Sequence, residues 1–144
     1  MSDTSKGKQH HQYKSRGQSL VEFVIIAPLL LLLILGAMDF GRLFYTKIVL
    51  TNAAREGANY LAYFPKDKDD GFVNTFAIIE SEADSSTIDV NTLSIVINDC
   101  CTGGNPVQVN VSTTVPLVFG GALQWFGLMG GPVQLTGTVK MVVQ

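Results

Sequence analysis

Hydrophobic and polar positions divide the 144-residue chain into stretches of different periodicity. From Leu20 to Met38 every residue is apolar or Gly except Glu22 and Pro28. As a helix this run would be about 28 Å long, close to the hydrocarbon thickness of a bilayer. Leu29 to Leu33 are five leucines in succession, which leaves no polar face of the kind a soluble core helix keeps. The run is therefore expected to cross a membrane. Beyond it, Phe40, Phe44, Ile48 and Thr51 recur at helical spacing, followed by a seam of Ala54, Ala58 and Ala62 and a second one of Ala53 and Gly57. This spacing predicts one unbroken helix from Leu20 to Leu61. Small residues let another helix approach closely. The seams suit packing under the chain's own C-terminal part and packing against a neighbouring subunit equally well. Asp39 and Arg42, three residues apart, read as a solvated pair at the membrane boundary.

The periodicity then changes. Phe64 to Gly71 carries Pro, Gly and alternating Lys and Asp, which predicts that the helix stops near Tyr63 and gives way to a solvated linker. The linker lacks the spacing and terminal Glu of a calcium loop. A short amphipathic helix is expected over about Phe72 to Ala83, with Phe72, Phe76, Ile79 and Ala83 on one face covering a sheet. Asp69 and Asp70 would favour its N-terminal dipole. Val107, Val109, Val111, Thr113 and Val115 alternate with polar residues, as do Val133, Leu135, Gly137, Val139 and Met141. Each set predicts a strand with one wet face. Leu93, Ile95 and Ile97 supply a third strand. The expected fold class is α+β: a long N-terminal transmembrane helix continuing into a domain with a short helix and a three-stranded antiparallel sheet. The expected segments are 1–17 as a basic leader, 18–62 as the long helix and 63–144 as an extracytoplasmic domain.

Charge orients this arrangement. Residues 1–17 hold Lys6, Lys8, Lys14 and Arg16 against Asp3, a formal +3, whereas the remainder carries six bases against eleven acids, a formal −5. Basic residues flanking an apolar span stay on the cytoplasmic side, so the C-terminal part is expected outside. With no basic excess beyond the leader, a nucleic-acid surface is excluded. Glu22 is costly inside an apolar run and calls for a partner, or else snorkels to the headgroups. Pro28 removes a backbone donor and is expected to loosen the helix near Val24.

Gly17 before Gln18, the basic leader upstream, Glu22 five residues after the glycine and the apolar run resemble the class III signal of type IV prepilins. The resemblance implies cleavage between Gly17 and Gln18 by a membrane prepilin peptidase that leaves the apolar segment in place. It also implies that Glu22 pairs with the N-terminal amine of an adjacent subunit, and it places Pro28 in the assembly helix. Ala53-Ala54-Arg55-Glu56-Gly57-Ala58, following Glu22-Phe23 and Asp39-Phe40-Gly41, resembles the motif after the membrane helix of TadE-like proteins, pseudopilin-like components of tight-adherence (Flp) pilus systems. Asn59 stands where that family usually has a second Arg. The resemblance covers residues 16–62. It implies a pilin-like domain, a noncatalytic role, membrane lipid and other pilin or pseudopilin subunits (copies of itself included) as partners, and a passage from single-pass inner-membrane protein to pilus or cell surface.

Pro116 to Gly131 is uncharged and contains Phe119, Trp125, Phe126, Leu128 and Met129. Contiguous apolar surface marks contacts. A second core helix, a patch on the membrane interface and a docking surface for a neighbouring subunit all fit, the core helix best. Cys100 and Cys101 lie in a turn by composition. Outside the cytoplasm a vicinal disulfide is the first expectation, with intermolecular pairing and free thiols as alternatives. His10 and His11 fall in the expected leader, and the Gly-Gly pairs lack the Lys of a phosphate loop, so catalysis, a metal site and a cofactor are not expected. The chain reads as a minor pilin or pseudopilin. The alternatives are the major subunit of a pilus-like filament and a secreted or membrane-anchored binding domain with an ordinary signal peptide, for which Leu35-Gly36-Ala37 is a poor cleavage site.

Overall fold

The computed structural model describes residues 15–84, 88–101, 104–125, 127 and 130–143. Two expectations fall elsewhere: the leader up to Lys14 with its histidines, and Phe126, Leu128 and Met129, lie outside the described residues. The elements in order are helix α1 (Ser15–Tyr63), a 3-10 turn (Pro65–Lys68), α2 (Val73–Asp84), a second 3-10 turn (Val90–Thr92), β1 (Ser94–Asn98), β2 (Pro106–Val115), α3 (Val118–Trp125) and β3 (Val133–Val142). The α+β architecture with a long apolar helix, a short helix and a three-stranded antiparallel sheet is as expected.

α1 is 49 residues long, roughly 73 Å at the usual helical rise. Its two halves behave differently. Leu20 to Met38 leaves its large side chains exposed, and none of the most apolar window is covered by the rest of the chain. Pro28 sits inside the helix, which continues through it. Beyond Met38 one stripe turns inward: Asp39, Thr46, Val49, Leu50, Ala53, Ala54, Gly57, Ala58, Leu61 and Ala62 are buried at spacings of three, four or seven.

The sheet order is β1-β2-β3, both pairs antiparallel. The period-two alternation sets its faces. Val107, Val109, Val111, Thr113 and Val115 are buried toward α1, while Gln108, Asn110 and Thr138 exchange side-chain hydrogen bonds on the other face. The register pairs Ile95 and Ile97 of β1 with Val111 and Val109, and Val111 in turn with Gly137 of β3. Gly137 is where β3 crosses α1. A Cβ there would run into the backbone of Leu50 and Thr51, so only glycine permits this approach.

α2 does not cover the sheet as expected. It packs on α1, with Thr75, Ile79 and Ala83 buried. The reason is that α1 already occupies the sheet's apolar face, so the second helix must find its apolar partner on α1. Gly57 makes the approach close: a Cβ there would meet Ile79 Cδ1 at 2.6 Å and Cγ1 at 2.7 Å. The core thus runs through α1, joining Leu50, Ala53, Ala54, Ala58 and Leu61 to Ile79 on one helix and Val107, Val109 and Val111 in the sheet. Complete burial of a Leu or Ile side chain is worth about 1.5–3 kcal/mol, so Leu50, Leu61 and Ile79 are its chief contributors.

Candidate functional site

Of the expected processing and assembly residues, Gly17, Gln18 and Glu22 lie together at the start of α1, and Pro28 lies further along the helix. Gly17, Gln18, Val21, Glu22 and Ile25 line one open hollow, because positions four apart share a helix face. Glu22 is exposed and has no polar partner among the described residues. Gln18 is one helical turn before it. Among the described residues nothing within 4 Å would obstruct a side chain at Gly17, so its glycine is not required for packing against them.

The motif after the span divides by burial. Ala53, Ala54, Gly57 and Ala58 are buried within the chain, whereas Arg55, Glu56 and Asn59 are exposed. Of the two uses open to the small-residue seam, the intramolecular one is filled: α2 approaches at Gly57, and Ala53, Ala54 and Ala58 belong to the core cluster. The outward stripe of α1 is instead aromatic. Phe40 and Phe44 are exposed and stacked, with ring centroids 6.3 Å apart, and Tyr45 and Ile48 are exposed beside them.

Two acids expected in solvent are buried. Asp39 is not a solvated partner of Arg42. Its Oδ1 accepts from the Val118 backbone N–H at 3.0 Å and its Oδ2 from Phe119 N–H at 2.6 Å, so it caps the first turn of α3 from across the fold. Arg42 faces a cleft of about 180 Å³ with Thr46, Ile88, Asp89, Thr113 and Pro116. No local sequence signal announced the cap, since donor and acceptor are 79 and 80 residues apart.

Asp67 is the one buried residue of the otherwise largely exposed Phe64 to Gly71 segment. Its Oδ2 accepts from Thr75 N–H at 2.9 Å and Thr75 Oγ1 at 2.5 Å, and its Oδ1 accepts from Asn74 Nδ2 at 2.8 Å and, more weakly, from Asn74 N–H at 3.4 Å. Asp67, not Asp69 or Asp70, therefore serves the start of α2, whose first turn holds no acid. Burial alone would push the Asp67 carboxyl up. The hydrogen bonds from the Thr75 and Asn74 side chains and backbone outweigh it and hold the group below its ordinary value. An Asp six to eight residues upstream of a helix start is not a capping pattern, which is why the sequence concealed it.

Cys100 and Cys101 are paired with each other, half-buried against the core in the turn between β1 and β2. Among the described residues no three His, Cys, Asp or Glu side chains converge as a metal site would require. Among the described residues the arrangement offers packing surfaces and capped helix ends. Within the apolar connection before β3, α3 is tethered to α1 at Asp39, with Val118 exposed and Phe119 half-buried.

Comparison with curated proteins and with solved structures yields no match. Residues 17–59, which run from the glycine before the apolar span to the end of the buried alanine seam, match the family model described as TadE-like protein, so that segment is similar to that family.

Proposed function

We propose that this chain is a pilin-like structural subunit, a TadE-like minor pilin or pseudopilin that is stored in the membrane by α1, processed after Gly17 and assembled through α1 into a Tad/Flp-type pilus or its initiating complex. The observation that carries this reading is the division of α1. One continuous helix has an N-terminal half whose side chains from Leu20 to Met38 are apolar but for Glu22 and a C-terminal half that is the spine of a folded domain, and the TadE-like match spans the junction. Such a subunit needs no catalytic group. It exchanges lipid neighbours for helix neighbours while its domain remains intact.

In this reading the basic leader stays in the cytoplasm and the domain beyond residue 62 outside it. Cleavage frees an amine on Gln18. A copy displaced axially by one helical turn, about 6 Å, brings its Glu22 level with that amine. Charge pairs in an apolar surrounding fix register more than they stabilise, because removing two ions from water offsets most of their attraction. The lack of a partner for Glu22 among the described residues agrees with a partner supplied from outside.

The test is N-terminal sequencing of the chain recovered from membranes of cells containing a prepilin peptidase. Gln18 as first residue is expected, and Gly17→Ala should accumulate as uncleaved precursor. Recovery of wild-type chain starting only at Met1 or at Met38 would refute processing at Gly17. Glu22→Ala should insert and be cleaved normally but be depleted from sheared filaments. Incorporation at the wild-type level would refute the pairing.

A further inference from the structure

The geometry points to α3 as a second membrane contact: a short helix held at the outer face of the bilayer, with lipid as its partner, while the subunit is stored. The inference rests on the reading of Leu20 to Met38 as a membrane span. That run ends at Met38, and the next residue, Asp39, receives the Val118 and Phe119 backbone N–H groups. The first turn of α3 is therefore level with the end of the span, within a few ångströms along α1.

The sheet gives the same height independently. Gly137 crosses α1 at Leu50, and β3 begins at Val133, opposite Val115 of β2. Val115 and Pro116 line a cleft with Arg42 and Thr46, earlier on α1 than Leu50. The first part of the connection from β2 to β3, Pro116 through α3, thus hangs from the end of the domain that faces the bilayer. The chain is free of charged residues from Pro116 to Val139, so nothing in this connection resists transfer into the headgroup region. Val118 is exposed on α3, and the stacked Phe40 and Phe44 are exposed on α1 just beyond Asp39, so apolar surface continues from the span onto both helices. The Asp39 carboxylate, which would otherwise be costly at that depth, is occupied by two N–H donors.

Trp125, the only tryptophan in the chain, is the last residue of α3 and so reports on it directly. The full chain would be reconstituted in phosphatidylcholine vesicles whose acyl chains carry bromine either near the glycerol or near the chain ends. The expected result is loss of more than half of the Trp125 emission to bromines near the glycerol, less loss to those near the chain ends, and little quenching by aqueous iodide. Strong iodide quenching without bromine quenching would overturn the proposal. So would shielding from both, which means burial in the domain, or shielding lifted only on dilution into excess lipid, which means a second copy. Phe23→Trp in a Trp125→Phe background serves as reporter of the span. If it is quenched by bromine while Trp125 is not, α3 alone loses its assignment, and if neither is quenched the membrane reading itself falls.

Discussion

Replacing Asp67 by Ala should uncouple α2 from the end of α1. The substitution removes the acceptor of the Thr75 N–H and Oγ1 and of the Asn74 side chain, and Thr75 is fully buried, so water cannot replace the carboxylate. Loss of a helix-capping acceptor costs about 1 kcal/mol. A buried hydroxyl left without a partner costs about 1–3 kcal/mol more. The sum, about 2–4 kcal/mol, corresponds to a fall in melting temperature of roughly 10–20 °C for a domain of this size. Thermal melts of the full chain in detergent, followed by circular dichroism, would measure it, with the micelle-held half of α1 as a constant baseline. The dependence on pH supplies a second constraint. The carboxyl is held below its ordinary value in the fold, so its contribution is complete above the unfolded value near 3.9 and is lost as pH falls through the lower folded value. The gap between wild type and Asp67→Asn should accordingly be constant from neutrality down to about pH 5 and shrink below about pH 4. An Asp67→Ala melt within about 2 °C of wild type, or a gap that does not change with acid, would refute this account.

The remaining predictions concern close approaches and the second cap. Gly57→Ala pushes a methyl into Ile79 and should cost about 1–3 kcal/mol. Ile79→Val in the same chain removes Cδ1 and should recover part of the loss, whereas strictly additive melting shifts would show that the two residues do not meet. Gly137→Ala should be worse than Gly57→Ala in the same melts, because its neighbour is the Leu50 backbone, which cannot change rotamer, and an equal or smaller shift would count against the crossing. Asp39→Ala strips α3 of its cap at about 1–2 kcal/mol and should hasten proteolytic cleavage between residues 116 and 132 in detergent. Wild-type resistance would argue against the tether.

Much of the architecture was legible because it is written in short-range periodicity. Alternation over Val107 to Val115 and over Val133 to Met141 is enough to define two strands and their inner faces, and the buried positions follow it. The long helix was legible from composition and spacing alone. What stayed hidden depends on which surface meets which. The amphipathic pattern of α2 states that a face is buried but not against what, so Ile79 was assigned to a sheet that α1 had already covered. Asp39 and Asp67 looked solvated because charged residues near Lys or Arg usually are. Their partners, at 118–119 and 74–75, become visible only when the chain has folded.

Because the rod proposed to enter lipid is also the middle layer of the domain, a pull on one is a pull on the other. Load applied along α1 would shear it lengthwise against β3 and α2, and the notch where Gly137 admits Leu50 would act as a mechanical stop, backed by the Lys47 side chain donating to the Thr136 carbonyl. Extraction from the bilayer would therefore lift the folded head as one body, with no hinge between anchor and cargo to yield first.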